Sequence, residues 1–371
     1  MSDRLITVAI HTYDRAISLK NLLEREGINV TLQNVNLEHP VVSPGVRVRI
    51  QEDDLALALR LIENQDIFHP ASTVKEHQPI ILVPVDFSEY SEKACDVAFR
   101  LASRQNAIIV LLHSFIDQSY SARIQLSDVL SFDERESDID KKVMIQQEAK
   151  RRMELFCDLL RRRIKSGQIP AVKFSSTIVE GLPEEVINQY AKEHGPLMIV
   201  MGTRGAGTKE RDQVGSVTAE VLDSCRYPVF TVPDAVNTDD VMQLDSVLFF
   251  SNFDQEDILA LDAMFHLLPV DHLNVVMVKI PGKKRSQEDT EHALRRLGEY
   301  CTAHYPQHHF SIDSLSINTI DDDFNRITQG IAGKLIAVPN KKKNIFARLF
   351  NPGIAHRLLF HSDIPMLVIP V

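Results

Sequence analysis

From residue 79 onward, short apolar runs alternate with stretches whose apolar residues recur at helical spacing. The first run, Pro79–Val85, contains no polar side chain, which is typical of a strand buried on both faces of a parallel sheet. Further strands are predicted at 107–113, 172–179, 197–201 and 229–232. Helices are predicted at 89–103, with Ser88 as its N-cap, at 141–165, from Pro183 onward and at 216–224. Strands that alternate with helices predict an α/β domain with a doubly wound, five-stranded parallel sheet over residues 77–234.

The first 72 residues predict a separate, small α+β domain. Its predicted elements are a strand at 5–10, a helix at 16–25 that stops at Gly27, strands at 28–32 and 46–50, and a helix at 52–62. The order β-α-β-β-α is typical of a ferredoxin-like or related split module. This segment also resembles small signal-transducing modules whose fold is like that of the PII nitrogen regulators.

Residues 245–371 repeat the plan of residues 77–234 with altered side chains. The run Val247–Phe253 echoes Ile81–Phe87, and the C-terminal Ile364–Pro370 echoes Tyr227–Pro233. A polar, acidic linker over 234–244 separates the copies. The sequence therefore predicts two such domains in tandem, and we expect their apolar final strands to pair within the chain as a pseudo-dimer.

Charge and cysteine usage narrow the class of protein. The net charge of -10 argues against nucleic acid or an anionic membrane as partner. No apolar run approaches the roughly 20 residues of a membrane span, and the N-terminus does not resemble a secretory signal. The 4 cysteines lie far apart, which favours buried thiols in a reducing compartment. We therefore expect a cytoplasmic protein.

A glycine-rich segment follows the fourth strand of the first copy. Gly202 and Gly205 are followed after nine residues by Gly215 and Ser216, which open the next helix. Phosphate binding requires backbone N–H groups and the positive end of a helix, and glycine permits a close approach of the backbone. Ligands of open α/β sheets bind beyond the carboxyl ends of the strands. The spacing thus predicts a phosphate loop, with Ser216 and Thr218 as further donors.

Two familiar nucleotide loops do not fit. Walker A requires Gly-x-x-x-x-Gly-Lys-Ser/Thr, which does not occur, and a dinucleotide fingerprint would follow the first strand, where the chain reads Asp86-Phe87-Ser88 without glycine. Two alternatives stay open. The glycines can serve a turn alone, and an aspartate after a strand, such as Asp86, can be only a cap or turn residue.

Residues 77–233 resemble the ATP-binding subgroup of the universal stress protein family. The resemblance rests on Val83–Ser88, Leu111–His113, Gly181–Pro183, the glycine spacing and the final Pro228–Val232 segment. It implies ATP as ligand, with or without Mg²⁺, or else AMP or ADP. It places Pro84, Val85, Asp86 and Ser114 beside the adenosine, Met201, Gly202, Arg204 and Gly205 beside the ribose and phosphates, and Gly215, Ser216, Val217 and Thr218 on the phosphate chain.

The second copy lacks this chemistry. The residues that correspond to Asp86, Gly202, Gly205, Gly215 and Ser216 are Asn252, Pro339, Lys342, Pro352 and Gly353. Proline removes an N–H donor and fixes the backbone, so we expect one working site per chain and a structural role for this copy. His308-His309 and Asp321–Asp323 fall in predicted polar connecting segments without the spacing of metal ligands.

No catalytic motif is evident, since Gly-x-Ser-x-Gly does not occur and no nucleophile and base can be paired from sequence order. The favoured hypothesis is an ATP-binding stress or signalling regulator with an unidentified protein partner and no metal site. Two hypotheses stand beside it: a nucleotide-independent interaction scaffold, and a slow ATPase or other nucleotide-dependent enzyme. Assembly into homo-oligomers stays open.

Overall fold

The structure, a computed structural model, describes residues 5–11, 13–25, 27–34, 46–63, 78–116, 132–204, 215–224, 226–234, 236–238, 241, 243–251, 255–268, 270–279, 287–314, 326, 334–340 and 364–370. The chain divides into two compact units. The smaller unit comprises residues 1–77 and 255–259, and the larger comprises residues 78–254 and 260–371.

The N-terminal unit contains a small antiparallel sheet. Its elements are β1 (Leu5–His11), α1 (Tyr13–Arg25), β2 (Thr31–Asn34), β3 (Val46–Gln51), a 3₁₀ turn (Glu52–Asp54) and α2 (Leu55–Glu63). The strand order is β1-β3-β2, and both pairings are antiparallel. Leu19, Leu23, Val48 and Ile50 form its fully buried core. The element order agrees with the sequence, while the ferredoxin-like or PII-like assignment stays a prediction.

The start of β2 differs from the predicted strand at 28–32. Gly27 adopts a φ of 83° after α1, and the amide of Ile28 donates to the carbonyl of Leu23 at 3.0 Å. Ile28 therefore closes the C-terminal turn of the helix and buries its side chain in the core. The strand begins only at Thr31.

The larger unit is built on one mostly parallel sheet. Its first elements are β4 (Ile80–Pro84), α3 (Glu89–Gln105), β5 (Ile108–Phe115), α4 (Phe132–Lys165), β6 (Phe174–Glu180), α5 (Pro183–His194), β7 (Met198–Gly202), α6 (Ser216–Ser224) and β8 (Val229–Val232). These are followed by β9 (Ser246–Ser251), α7 (Gln255–Leu267), β10 (Asn274–Lys279), α8 (Gln287–His304), β11 (His309–Ser314), β12 (Lys334–Asn340) and β13 (Met366–Pro370). The ten strands lie in the order β11-β10-β9-β12-β13-β8-β7-β4-β5-β6. The predicted α/β class with a parallel sheet is confirmed.

The two halves of this sheet share one hydrogen-bonding register. The equivalent pairs are Ile81↔Ile109 and Val247↔Val275, Leu82↔Ile199 and Leu248↔Ile336, and Gly202↔Val232 and Pro339↔Ile369. A constant register at three successive junctions fixes which residues correspond. Gly202 and Pro339 accordingly hold the same position in the two halves.

The halves meet at the antiparallel pairing of β8 with β13. Phe230 lies opposite Leu367, with Val229 opposite Val368 and Thr231 opposite Met366. One apolar core crosses this junction and includes Val221 and Leu222 of α6 together with Ile336, Val338, Met366 and Val368. The helix that follows the glycine loop therefore packs in a core that both halves share.

Helix α4 begins nine residues before the predicted start at residue 141. Its buried side chains include Ala149, Met153, Phe156 and Leu160. Residues 142–148 present mainly exposed side chains. Lys142 pairs with Glu180 at 2.8 Å, which joins α4 to the carboxyl end of β6.

Three cysteines, Cys95, Cys157 and Cys301, are buried free thiols, while Cys225 lies outside the described residues. Burial raises the pKa of each of these thiols, in Cys301 to about 12. Their thiolate forms are disfavoured, so these side chains act as small apolar core residues. Within the described ranges, no helix is both long and apolar enough to cross a membrane.

Candidate functional site

The turn after β4 is organised by a single carboxylate. Asp86 Oδ1 accepts hydrogen bonds from the amide of Ser88 (3.1 Å), the hydroxyl of Ser88 (2.5 Å) and the hydroxyl of Ser91 (2.6 Å). The Ser88 hydroxyl in turn accepts from the Ser91 amide at 3.3 Å, which confirms the predicted N-cap of α3. Asp86 thus has a definite structural role in this turn. Its contact with a nucleotide stays a prediction.

Phe87 has a left-handed backbone with φ of 66°, which is uncommon for a bulky residue. Its ring lies 4.3 Å from the ring of His113 and 5.7 Å from that of Phe156, and the Arg152 guanidinium lies 4.8 Å from its centroid. Packing on several sides offsets the backbone cost. Sequence reasoning gave Phe87 and Arg152 no role in the site, because neither a φ angle nor a contact between distant elements can be read from a motif.

His113 links the ends of β4 and β5. Its Nδ1 donates to the carbonyl oxygen of Val85 at 2.7 Å. Burial lowers the pKa of His113, and the nearby charge of Arg152 acts in the same direction. The imidazole is therefore neutral at pH 7 and holds the backbone of the Asp86 turn in place.

Gly202, the last residue of β7, lies against the first turn of α3. A Cβ atom at Gly202 would be 3.1 Å from Tyr90 Cβ and 3.3 Å from the Tyr90 carbonyl oxygen. These distances are too short for a comfortable contact, so glycine is what permits this approach. The glycine loop and the Asp86 turn consequently begin side by side, at the carboxyl ends of β7 and β4.

The two described ends of the glycine segment meet each other. The amide of Gly215 donates to the Thr203 carbonyl at 2.9 Å, and the Thr218 hydroxyl donates to the Gly202 carbonyl at 2.9 Å. Gly205 and residues 206–214 lie outside the described residues. In the described part, these two hydrogen bonds close the base of the glycine loop and hold α6 against the end of β7.

The first turn of α6 offers backbone donors at this base. The first helical bond runs from the Ala219 amide to the Gly215 carbonyl at 3.1 Å, so α-helix geometry leaves the amides of Ser216, Val217 and Thr218 without an acceptor inside the helix. The positive end of the helix dipole lies at the same place. The Gly215 amide and the Thr218 hydroxyl each already donate to a backbone carbonyl. The contact of Gly215 and Thr218 with phosphate stays a prediction.

The other predicted residues gather at the same edge of the sheet. Pro84 and Ser114 are half-buried at the carboxyl ends of β4 and β5, and Arg204 is half-buried at the start of the loop. Val85 and Met201 are buried, and Val217 packs its side chain against the apolar core. Because their side chains are buried or packed in the core, these three residues would contact a ligand through their backbone atoms.

In the second half, the position of Gly202 is taken by Pro339, which is buried in β12. Proline carries no amide hydrogen and cannot donate to a ligand or to a loop. The other residues that the sequence equated with the site, Asn252, Lys342, Pro352 and Gly353, lie outside the described residues.

His308 lies in the connection before β11, as predicted, but its side chain is buried and does not face solvent. His308 is buried just before β11, its Nδ1 accepts from the amide of Leu273 at 3.1 Å, and its ring stacks on Phe265 at 4.4 Å. His309 is the first residue of β11, and Asp321–Asp323 lie outside the described residues. Among the residues that the structure describes, no three His, Cys, Asp or Glu side chains form a metal-binding group.

The neutral state of His308 predicts a loss of stability in acid. Burial lowers the pKa of His308, and the charge of His272 acts in the same direction. The unfolded chain therefore binds more protons than the folded chain as the pH falls through about 6.5, and the free energy of unfolding decreases. We expect urea unfolding to show this decrease between pH 7.5 and 5.5 in the wild type and a smaller one in His308→Gln. Equal decreases in both proteins would contradict this role.

Comparison with known proteins shows which family residues 79–233 match. Residues 79–233 match the universal stress protein family. Universal stress protein MJ0577 of Methanocaldococcus jannaschii is 29% identical over 159 residues, which covers 41% of this chain and 93% of that protein. Universal stress protein YxiE of Bacillus subtilis is 27% identical over 156 residues, or 41% of this chain and 97% of that protein. Residues 79–233 are therefore a universal stress protein domain.

One solved structure is similar in fold over a larger part of the chain than these two relatives cover. The crystal structure of a universal stress protein from Archaeoglobus fulgidus superposes with a TM-score of 0.55 at 20% identity, covering 78% of this chain and 98% of that chain. At this identity the likeness concerns the fold alone. It agrees with the large, mostly parallel sheet described above.

Proposed function

We propose that this protein binds ATP at one site per chain and acts as a nucleotide-responsive stress or signalling regulator in the cytoplasm. The observation that carries the proposal is the closed base of the glycine loop, where the Gly215 amide meets the Thr203 carbonyl beside the Asp86 turn. The carboxyl ends of parallel strands with a helix N-terminus beside them suit a ligand that is apolar at one end and anionic at the other.

The phosphate chain belongs at the first turn of α6. The amides of Ser216, Val217 and Thr218 and the exposed hydroxyl of Ser216 supply donors there. Arg204 adds a positive charge at the start of the loop, and Mg²⁺ would neutralise part of a triphosphate. ADP and AMP fit the same donors with fewer contacts.

The adenosine belongs between the ends of β4 and β5. Pro84, Val85 and Ser114 line this side, and the Asp86 carboxylate provides a charged acceptor for base or ribose donors. Asp86 is already fixed in position by Ser88 and Ser91, so binding requires little reorganisation of this side chain.

Residues 245–371 serve in this proposal as a second, ligand-free copy of the same domain. The equal register of the two halves supports the proposal that residues 245–371 repeat the plan of residues 77–234. Pro339 stands at the position of Gly202 and has no amide hydrogen to donate, which supports the loss of the phosphate site in this copy. The pairing of β8 with β13 then acts as an intrachain pseudo-dimer contact. The N-terminal module and an unidentified protein partner would receive the nucleotide signal.

Equilibrium binding of a fluorescent ATP analogue tests this function, with Ser216→Pro as the decisive variant. Ser216 is the first residue of α6, where proline is tolerated, so the variant deletes one amide donor at little cost in stability. The control, Ser216→Ala, removes only the hydroxyl. We expect Ser216→Pro to weaken binding about tenfold, as suits one charge-assisted hydrogen bond, and Ser216→Ala to weaken it less.

The competing hypotheses give different results in the same assay. An interaction scaffold with a relic loop predicts no saturable binding by the wild type below about 1 mM, a very weak affinity for a nucleotide. A slow ATPase predicts phosphate release by the purified protein that Ser216→Pro reduces together with binding. Equal affinity of Ser216→Pro and the wild type would contradict a phosphate site at α6.

A further inference from the structure

Asn340, the last residue of β12, connects the second half of the sheet to α6. Its Nδ2 donates to the carbonyl oxygen of Leu222 at 3.1 Å, across 118 residues of sequence. Leu222 lies in the last turn of α6, where backbone carbonyls have no donor inside the helix. Asn340 therefore caps the C-terminal end of the helix whose N-terminal end opens the candidate phosphate site.

The two ends of α6 are held by corresponding residues of the two halves. At the N-terminal end, the Thr203 carbonyl accepts from the amide of Gly215 at 2.9 Å. Thr203 follows Gly202, and Asn340 follows Pro339, which has the same register as Gly202. One strand end from each half thus holds one end of the same helix.

Because α6 is short, a movement of the helix at one of these two contacts also moves it at the other. The helix has nine residues, and its C-terminal half is fixed by the buried side chains of Val221 and Leu222 in the shared core. A helix of this length moves as a rigid rod, so a change of tilt at one end displaces the other. The Thr218 hydroxyl bond to Gly202 ties the first turn of α6 to the end of β7.

We propose that Asn340 is a positioning residue for the phosphate site, through which the second half fixes the direction of the α6 amides. The inference rests on the proposed function, because it assigns a regulator of that same site. It gives the ligand-free half a role in binding. A change in the second half that withdraws Asn340 weakens the grip on phosphate, while the adenosine side, on β4 and β5, is unaffected.

The test uses Asn340→Ala with Gln105→Ala as matched control. Gln105 is also a single amide that bridges the halves, since its Nε2 donates to the carbonyls of His266 and Leu267 at 2.8 and 2.9 Å, but it does not touch α6. We expect Asn340→Ala to raise the Kd for ATP about five- to tenfold, the size of one hydrogen bond, and to leave the Kd for adenosine unchanged. We expect Gln105→Ala to leave both constants unchanged.

A second readout needs no nucleotide. Hydrogen exchange of the α6 amides reports how firmly the helix is held, and we expect it to be faster in Asn340→Ala than in Gln105→Ala. Asn340→Asp, which keeps the side-chain shape and removes the donor, should behave as Asn340→Ala, so that lost packing is distinguished from the lost hydrogen bond.

The outcomes separate the two proposals. Wild-type protein that binds ATP, together with Asn340 variants of equal ATP affinity, would overturn the positioning role and leave the proposed function standing. Equal losses for ATP and adenosine, or equal effects of Gln105→Ala, would assign Asn340 to general stability. Wild-type protein that binds no ATP would overturn both proposals.

Discussion

Gly202→Ala should both destabilise the protein and weaken its binding of ATP. A Cβ at this position would lie 3.1 Å from Tyr90 Cβ and 3.2 Å from the Arg204 carbonyl oxygen. Overpacking of this kind costs about 1–3 kcal/mol of unfolding free energy. Relief requires the first turn of α3 to move away from β7, which separates the Asp86 turn from the glycine loop. We therefore expect at least a roughly tenfold weaker Kd for ATP, equivalent to about 1.4 kcal/mol.

The matched control is Gly298→Ala. Gly298 lies within α8, and a Cβ there would meet no atom within 4 Å. Alanine is favoured over glycine inside a helix by about 0.5–1 kcal/mol, so this variant should gain stability and keep its ATP affinity. Urea denaturation and ATP titration measure both quantities. A Gly202→Ala protein as stable and as tightly bound to ATP as the wild type would show that the close approach has no importance.

Asp86→Ala is the second substitution that should strongly reduce both the free energy of unfolding and the affinity for ATP. The substitution removes an acceptor of three hydrogen bonds, from the Ser88 amide and from the hydroxyls of Ser88 and Ser91. Bonds to a charged group contribute about 1.5–3 kcal/mol each, but the donors regain water in this half-buried turn. We expect a net loss of about 2 kcal/mol in unfolding free energy. Loss of the carboxylate contact with adenosine should raise the Kd for ATP at least about tenfold.

Ser88→Ala separates the two roles of Asp86. It removes the N-cap of α3, at a cost of about 1 kcal/mol, and leaves the carboxylate in place. We expect its ATP affinity to stay close to that of the wild type. Should both variants lose stability while neither loses ATP affinity, Asp86 is a turn residue alone, which is the alternative that the sequence left open.

Strands buried on both faces were the elements that the sequence predicted best. The apolar runs that became β4 and β7 contain no polar side chain, and β8 contains one, Thr231. Local chemistry also located Ser88 as a cap and Gly27 as a helix stop. These features depend on interactions within a few residues, which is why a single sequence contains them.

Features that depend on distant contacts were missed. The start of α4 at Phe132, nine residues before the predicted one, was not found from hydrophobic periodicity. His308 appears polar in sequence, yet its ring is buried by stacking on Phe265, 43 residues earlier. The left-handed backbone of Phe87 is stabilised by packing against His113 and by Arg152 of α4.

The same distinction applies to the candidate site. The spacing of Gly202, Gly215 and Ser216 predicted which residues come to the loop base, and the structure brings them to the carboxyl ends of β4 and β7. It did not predict that the Gly215 amide and the Thr218 hydroxyl are already engaged by backbone carbonyls. Asn340, from the other half, is beyond the reach of any local motif.

The central claim, one ATP site per chain, is tested most directly by calorimetric titration of the purified full-length protein with ATP. The account predicts saturable binding with a stoichiometry of one ATP per chain, because β7 ends in Gly202 whereas β12 carries Pro339 at the same register. A stoichiometry of two would show that the second half has kept a site. No saturable heat up to about 1 mM ATP would contradict the claim altogether.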